Sequence, residues 1–180
     1  MSRTTGSELR THLMFLVPHL EHPRIVELRR RWDPAMAAGV PPHITVAYPE
    51  EHQRQLELLV ERAAEVAVIT PPFPLELGPV AAHDGGAGGV FVAVADPTGS
   101  WQDLRKRILT PPFDALPLEP HLTLVHPRTS DRGEEAWRAL RGTTLNGSIT
   151  ARHLMVTTTH PTSGLRIARR FPLGSALDDG

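Results

Sequence analysis

The sequence lacks cysteine altogether, and it has little lysine, few aromatic residues and no long apolar run. Without cysteine, the 180-residue chain has no disulfide, no thiolate ligand for zinc or an iron–sulfur cluster, and no thiol nucleophile. Lys106 is its one lysine, so Schiff-base chemistry has a single candidate. The longest apolar run near the N-terminus, Leu13–Val17, is too short for a signal peptide or a membrane span. We therefore expect a soluble, cytosolic protein.

The charge of the chain is nearly balanced. The formal net charge is −1 and charged residues make up 22% of the sequence. These values exclude a disordered acidic tail and a strongly basic surface that binds nucleic acid over a broad area. A nucleic-acid partner would have to be held locally. Apolar residues make up 40%, enough for a substantial core, and the length fits one domain, which we expect to be a monomer of two packed lobes.

Apolar periodicity predicts a mixed α+β fold with antiparallel hairpins beside crossover helices, rather than a doubly wound sheet. Helices are predicted at residues 23–32, 50–68, 101–109 and 131–141. Strands are predicted at residues 12–19, 43–48, 73–81, 90–95, 121–126, 148–158 and 164–171, with a turn at 161–164 between the last two.

Three local features have structural interpretations. Two prolines in the 73–81 strand place it at a sheet edge. The glycine-rich segment Asp84–Gly89 precedes a strand and lacks the Lys-Ser/Thr ending of a phosphate loop, which favours a hairpin turn or a loop at the edge of a cleft. The run Arg29–Arg31 late in the first helix is interpreted as a solvated face, whose positive charges interact favourably with the C-terminal end of the helix dipole.

An internal repeat is the most informative feature. PHITVAYP begins at Pro42 and PHLTLVHP begins at Pro120, 78 positions later. The same offset relates the strand before each motif, and a helix follows that strand in both halves. The repeat covers residues 12–49 and 90–127, which predicts two related lobes with their motifs facing each other across a cleft.

Each motif carries a histidine and a threonine on one face of a strand. His43 and Thr45 alternate with Ile44 and Val46, and His121 and Thr123 alternate with Leu122 and Leu124 in the same way. A lone histidine on a strand is usually structural, but two at matching topology can supply a general base and a general acid. Threonine hydroxyls can donate to phosphate oxygens. This set suits in-line displacement at phosphorus without a metal, because the remaining histidines form no ordered ligand set.

The two motifs resemble the paired His-x-Thr-x motifs of the 2H phosphoesterase superfamily, in particular the bacterial 2′-5′ RNA ligase/cyclic phosphodiesterase group. The resemblance spans nearly the whole chain, including the 73–95 hairpin and the ending Arg170–Gly174. It implies a bilobal α+β fold, two antiparallel sheets flanking the cleft, and hydrolysis of 2′,3′-cyclic phosphates on RNA ends or cyclic nucleotides, or of related 2′-5′ phosphodiesters, with 2′-5′ RNA ligation as the reverse reaction.

The resemblance also implies roles for residues. His43 and His121 become the acid–base pair, with the first protonating the leaving group and the second activating water, and Thr45 and Thr123 bind phosphate. Many relatives carry Arg five residues after the second motif histidine, where this chain has His126. Arg128 is a candidate substitute, and Tyr48 at the matching position of the first motif is a candidate for stacking on a base.

Two other functions remain open. A binding module for RNA ends or a phosphorylated metabolite would retain the fold without turnover, consistent with the missing arginine. A metal-dependent hydrolase would use the surplus histidines and would lose activity in chelator.

Overall fold

Two antiparallel four-stranded sheets dominate the structure, a computed structural model that describes residues 9–160 and 164–174. The first sheet has the order β2-β1-β7-β8 and the second has the order β5-β4-β3-β6. The strands are β1 (Arg10–Leu16), β2 (His43–Ala47), β3 (Phe73–Ala82), β4 (Val90–Ala95), β5 (His121–Val125), β6 (Ser148–Ala151), β7 (His153–His160) and β8 (Gly164–Pro172). The predicted mixed α+β class with two antiparallel sheets is confirmed.

Helices flank the two sheets. They are α1 (Pro23–Trp32), α2 (Pro34–Gly39), α3 (Pro49–His52), α4 (Leu56–Ile69), α5 (Ser100–Ile108) and α6 (Gly133–Leu140). Helix α2 was not predicted; its N-terminus is capped by Asp33, whose side chain accepts a hydrogen bond from the Met36 amide. In the described part of the chain, no helix is long and apolar enough to cross a membrane.

The two motif strands are edge strands that lie against each other. Strand β2 is the outermost strand of one sheet, β5 is the outermost strand of the other, and the two are in contact. The orders of elements, β1-α1-α2-β2 and β4-α5-β5, differ only by the short helix α2, and the strands of each unit pair antiparallel. The core-facing residues of both motifs are buried as the alternation predicts: Ile44, Val46, Leu122 and Leu124.

The prediction of one helix over residues 50–68 is wrong. The segment forms two helices, α3 and α4. The break lies at Gln53 and Arg54, which both have positive φ, 47° and 63°. Buried anchors fix the first turn: the Glu51 carboxylate accepts a hydrogen bond from the Tyr48 amide, and His52 bonds a backbone carbonyl of β1. The chain must then turn before α4 can present its own buried face to the core.

The predicted edge position of β3 is also wrong, since β3 lies between β4 and β6. Neither proline interrupts a central ladder. Pro74 lies where β3 pairs with β6 alone, because pairing with β4 begins at Glu76. Pro79 falls in the irregular stretch where the register with β4 shifts.

The single strand predicted at residues 148–158 is two strands in different sheets. Strand β6 pairs with β3, and after Arg152 the chain crosses to pair β7 with β1. Both segments have strand propensity, and neither contains a glycine or proline, so the local sequence does not mark the crossing. The turn predicted at 161–164 lies mostly outside the described residues.

Candidate active site

The two motif histidines begin their strands in the same way. The Nδ1–H of His43 donates to the carbonyl oxygen of Pro41 at 2.9 Å, and the Nδ1–H of His121 donates to the carbonyl oxygen of Glu119 at 3.0 Å. A carbonyl oxygen can only accept, so each bond places the proton of the neutral ring on Nδ1. Nε2 of both neutral rings is therefore left without a proton and can accept a hydrogen bond.

Tyr48 joins the two motifs. Its hydroxyl lies 3.3 Å from Nε2 of His121, and the nearby Thr45 side chain opposes the rise that burial causes in the pKa of the Tyr48 phenol. The end of β2 thus lies at the start of β5. His126 occupies the matching position after β5, and its charge acts on His43 at the start of β2. The two edge strands therefore bring each histidine next to the end of the other motif.

A cavity of about 190 Å³ opens beside this contact. Tyr48, His121, Thr123 and His126 line it together with the hairpin that ends at Val90 and with the Phe91 ring. His43 and Thr45 do not line this cavity; His43 is half-buried and Thr45 is buried. Arg128 does not line it either, and its side chain is exposed.

Burial keeps the site histidines neutral. It is the main cause that lowers the pKa of His43 from 6.5 to about 4, and the charges of Arg29, His121 and His126 lower it further, while the Pro41 carbonyl opposes the shift. Burial also lowers the pKa of His121, assisted by His83 and opposed by the Glu119 carbonyl. Two neutral imidazoles in one site can divide proton acceptance and donation once an anionic substrate enters.

Three aromatic rings form one wall of the site. The Phe91 ring lies 5.3 Å from the His121 ring in an edge-on arrangement, and 4.8 Å from the His83 ring, measured between centroids. Neither Phe91 nor His83 was predicted as a site residue. The pairing register supplies the missing signal, because Phe91 lies opposite Thr123 across β4 and β5 and therefore shares its face.

His12 is a further neighbour that the sequence analysis missed. It lies on β1, its ring is 6.0 Å from the Tyr48 ring, and burial followed by the charge of His43 lowers its pKa from 6.5 to about 4. In the sequence it alternates with the buried Leu13, so it is on the opposite face of the strand.

The segment after β5 is held by a buried carboxylate. Asp33 is fully buried, and one of its oxygens accepts hydrogen bonds from the His126 amide at 2.9 Å and the Thr129 hydroxyl at 2.6 Å. Because Asp33 follows directly on α1, this helix fixes where His126 enters the cavity. In residues 9–160 and 164–174, no group of three or more His, Asp or Glu is placed to hold a metal ion.

The solved structures most relevant to this geometry include phosphoesterases. Escherichia coli LigT in complex with 3′-AMP superposes with a TM-score of 0.65 at 18% identity, covering 91% of this chain and 97% of that one. The NADP+ complex of the same protein gives 0.63 at 20%, covering 92% and 98%. The protein TT0787 of Thermus thermophilus gives 0.61 at 15%, covering 92% and 98%. At these identities the likeness shows the fold.

Sequence comparison gives the family. No curated protein sequence matches the chain. The family model of the 2′-5′ RNA ligase superfamily matches residues 16–161, which include both histidine motifs and the strands that carry them. This superfamily comprises phosphoesterases and RNA ligases, and the match extends over most of the sequence. The chain therefore belongs to the 2′-5′ RNA ligase superfamily.

Proposed function

We propose that the protein is a metal-independent phosphoesterase that hydrolyses 2′,3′-cyclic phosphates on RNA ends or nucleotides, or related 2′-5′ phosphodiesters. The observation that carries the proposal is the matched pair of Nδ1–carbonyl bonds, which leaves Nε2 of His43 and of His121 as the reactive nitrogens. Both rings are neutral at pH 7 in the ligand-free protein, so either Nε2 can accept a proton from water.

The reaction is an in-line displacement. One Nε2 takes a proton from the attacking water as its oxygen bonds to phosphorus. The bond from phosphorus to the 2′ or 3′ ribose oxygen breaks, and that oxygen takes a proton from the other imidazole, which enters the step as imidazolium. The product is a phosphomonoester, and proton exchange with solvent restores both rings. The Thr45 and Thr123 hydroxyls donate to the non-bridging oxygens that gain charge in the transition state.

Two features support a nucleotide substrate. The Phe91 and His83 rings lie beside His121, where a base attached to the reacting ribose can stack. LigT, which has a similar fold, is bound to 3′-AMP, NADP+ and ATP in its solved complexes. The same two histidines can also catalyse the reverse reaction, 2′-5′ ligation, because each proton transfer is reversible.

The test uses the four nucleoside 2′,3′-cyclic monophosphates and a short RNA that ends in a cyclic phosphate, all in excess EDTA. We expect turnover by the wild-type protein and its loss in both His43→Ala and His121→Ala. His19→Ala, at an exposed position, is the matched control and should retain full activity. Chromatography of the 2′- and 3′-phosphates identifies the oxygen that leaves.

Two outcomes would overturn the proposal. Activity that appears only after metal is added would establish a metal-dependent hydrolase. Tight binding of a nucleoside 2′- or 3′-phosphate by folded protein, with no turnover of any substrate, would establish a binding module. The second alternative has one observation in its favour: among the described residues that line the cavity, none is arginine or lysine.

A further inference from the structure

A second cavity, of about 310 Å³, opens next to His43. Leu16, which pairs with His43 across β1 and β2, lines this cavity, and so does Pro41, whose carbonyl oxygen accepts the hydrogen bond from Nδ1 of His43. Directly paired residues of antiparallel strands carry their side chains on the same face, about 5 Å apart. The cavity therefore lies against the face of the first sheet that carries the first motif, beside the histidine that does not line the cavity around His121.

This face continues to the far edge of the first sheet. Thr45 of β2 pairs with Met14 of β1. Met14 in turn pairs with Met155 of β7, and Met155 pairs with Arg170 of β8. The row ends at two residues that line the second cavity, Met155 and Arg170. Because neighbouring strands lie about 4.8 Å apart, the row extends about 14 Å from the backbone of the first motif to the backbone of Arg170.

The two cavities differ in charge. Arg152 and Arg170 line the second cavity, whereas no arginine or lysine is among the described residues that line the first. The described lining of the second cavity contains no aspartate or glutamate. In residues 9–160 and 164–174, neither guanidinium has a hydrogen bond or an ion pair, and both side chains are exposed. The second cavity therefore offers two uncompensated positive charges, which suit an anionic ligand.

His153 is the third basic side chain of this cluster. It lines the cavity, and its pKa lies below the usual range because of burial and because of the neighbouring charges of Arg170 and Arg152. A backbone hydrogen bond of 2.8 Å from the Leu173 amide to the Arg152 carbonyl oxygen joins the chain at the start of β7 to the end of β8. The three basic residues are thus held together by the backbone at one end of the first sheet.

Much of the remaining lining is apolar, including Leu16, Pro18, Pro41 and Met155. Proteins bind single-stranded nucleic acid by combining cations along the backbone with surfaces on which the bases pack. A stacked strand has one phosphate per 3.4 Å of axis and an extended strand has fewer, so about 14 Å corresponds to about two to four nucleotides. A nucleoside 2′,3′-cyclic monophosphate has one phosphate, and at the motif histidines that phosphate leaves the second cavity without an anion.

We propose that the second cavity is a subsite for the backbone of single-stranded RNA, in which Arg152 and Arg170 bind phosphates on the 5′ side of the reacting nucleoside. The inference rests on the proposed function and narrows its substrate class. The preferred substrate is an RNA chain that ends in a cyclic phosphate, rather than a cyclic mononucleotide. The terminal base lies against Phe91 on the side of His121, and the chain leaves past His43 over the first sheet.

The first test is independent of turnover. The pKa of His153 is measured by NMR with saturating nucleoside 3′-monophosphate and with a saturating trinucleotide that ends in a 3′-phosphate. We expect the trinucleotide to raise this pKa by about one pH unit, because it brings phosphate charge next to the imidazole. The mononucleotide should leave it unchanged. An equal pKa of His153 with both ligands would overturn the proposal.

The second test compares kcat/KM, in excess EDTA, for a cyclic mononucleotide and for a trinucleotide that ends in a cyclic phosphate. The preference of the wild type for the trinucleotide should fall about tenfold in Arg152→Met/Arg170→Met, and the dependence of log KM for the trinucleotide on log salt concentration should weaken by about one per arginine. Arg169→Met is the matched control. Arg169 pairs with the core residue Val156, so it lies on the other face of β8, and its replacement should leave the preference unchanged.

Two further substrates identify the group that is bound. A trinucleotide with neutral methylphosphonates at its internal linkages keeps the bases and sugars, and we expect it to lose the advantage over the mononucleotide. Equal kcat/KM for the neutral and the native trinucleotide would overturn the proposal. So would a 5′-phosphorylated cyclic mononucleotide that is hydrolysed as efficiently as the trinucleotide. If the wild type turns over no substrate, the proposed function fails, and the NMR titration of His153 still decides whether the cavity binds RNA.

Discussion

The Tyr48 hydroxyl lies 3.3 Å from Nε2 of His121 and connects the end of the first motif to the histidine of the second. Because Nδ1 of His121 is committed to the Glu119 carbonyl, Nε2 of the neutral ring accepts this bond and the phenol donates it. The Thr45 side chain lies near the same hydroxyl, so polar groups from both edge strands meet at Tyr48. Tyr48 thereby orients the His121 ring.

We expect Tyr48→Phe to lower kcat about three- to tenfold, the effect of losing one hydrogen bond of about 1 kcal/mol at a reacting group. The ring is kept, so its edge contact with His12 and the KM should change little. Steady-state kinetics with a nucleoside 2′,3′-cyclic phosphate measure both constants. Tyr48→Leu, which also removes the ring, should lose more, and an unchanged kcat in Tyr48→Phe would show that the hydroxyl does not orient His121.

The two motifs can be found from the sequence, whereas the residues packed around them cannot. His43, Thr45, His121 and Thr123 are visible because the repeat duplicates them at fixed alternation. Arg29 is hidden, because three consecutive arginines late in a helix have the composition of a solvated face. In the structure Arg29 is buried where α1 packs on β5, whereas Arg30 and Arg31 are exposed.

The stability of the fold should fall as the pH is lowered from 6.5 to 4. His12 and His43 have folded-state pKa values of about 4, against 6.5 as the reference, so the unfolded chain binds more protons in this window. Each histidine then contributes a slope of up to about 1.4 kcal/mol per pH unit to the free energy of unfolding. Stability from this source is complete above pH 6.5 and is lost as the pH falls towards 4.

Urea denaturation at pH 7, 6 and 5 measures this slope. His43→Asn should reduce it, because the proton uptake of one group is removed, and the exposed His19→Asn is the control that should not. A free energy of unfolding that is constant over this range would contradict the neutral, buried state of the two rings.

Arg105→Met should destabilise the fold by about 3–5 kcal/mol, because it leaves the Glu51 carboxylate buried without its charge partner. The two side chains are 4% and 0% exposed and join α5 to the segment that follows β2. The double variant Glu51→Gln/Arg105→Met should lose less than the sum of the single changes. The measurement is urea denaturation. Arg24→Met, in an exposed ion pair, is the control, and equal losses in both would refute a special role for the buried pair.

The secondary-structure predictions also fail where contacts between residues distant in sequence decide the structure. The break at Gln53 and Arg54 contains no glycine or proline, and the buried bonds that hold the preceding turn, from Glu51 to Arg105 and from His52 to β1, join residues distant in sequence. Strands β6 and β7 look like one strand, since both have strand propensity and no glycine or proline lies between them, and only their different partners separate them at Arg152. Partners distant in sequence leave no trace in local periodicity.

Asp33→Ala should lower the free energy of unfolding by about 3 kcal/mol or more, because three donors lose a buried charged acceptor at once. The loss should also free the segment after β5, since the His126 amide is one of these donors. Hydrogen exchange at the His126 amide detects that release, and the exposed Asp103→Ala should show neither effect. Retained protection at His126 would show that Asp33 does not hold the segment in place.

Gly133→Ala tests a close approach between the start of α6 and the turn that joins β3 to β4. Alanine in a helix is normally more stable than glycine, by about 0.5–1 kcal/mol. Here a Cβ on Gly133 would lie well inside van der Waals contact with the Gly86 carbonyl oxygen, and a Cβ on Gly86 would meet the Gly133 carbonyl in turn. We therefore expect destabilisation of about 1–3 kcal/mol, the cost of overpacking, in urea denaturation.

The same turn continues into Gly88 and Gly89, which line the cavity beside His121. Displacing the turn should therefore raise KM for a cyclic nucleotide more than it lowers kcat, since the motif histidines are held by other elements. Glu134→Ala, one position further along the helix at an exposed site, isolates helix propensity from packing and should leave both constants unchanged. If Gly133→Ala instead stabilises the fold as propensity alone requires, the turn can move away from α6 without cost, and its contact with the helix does not position the cavity edge.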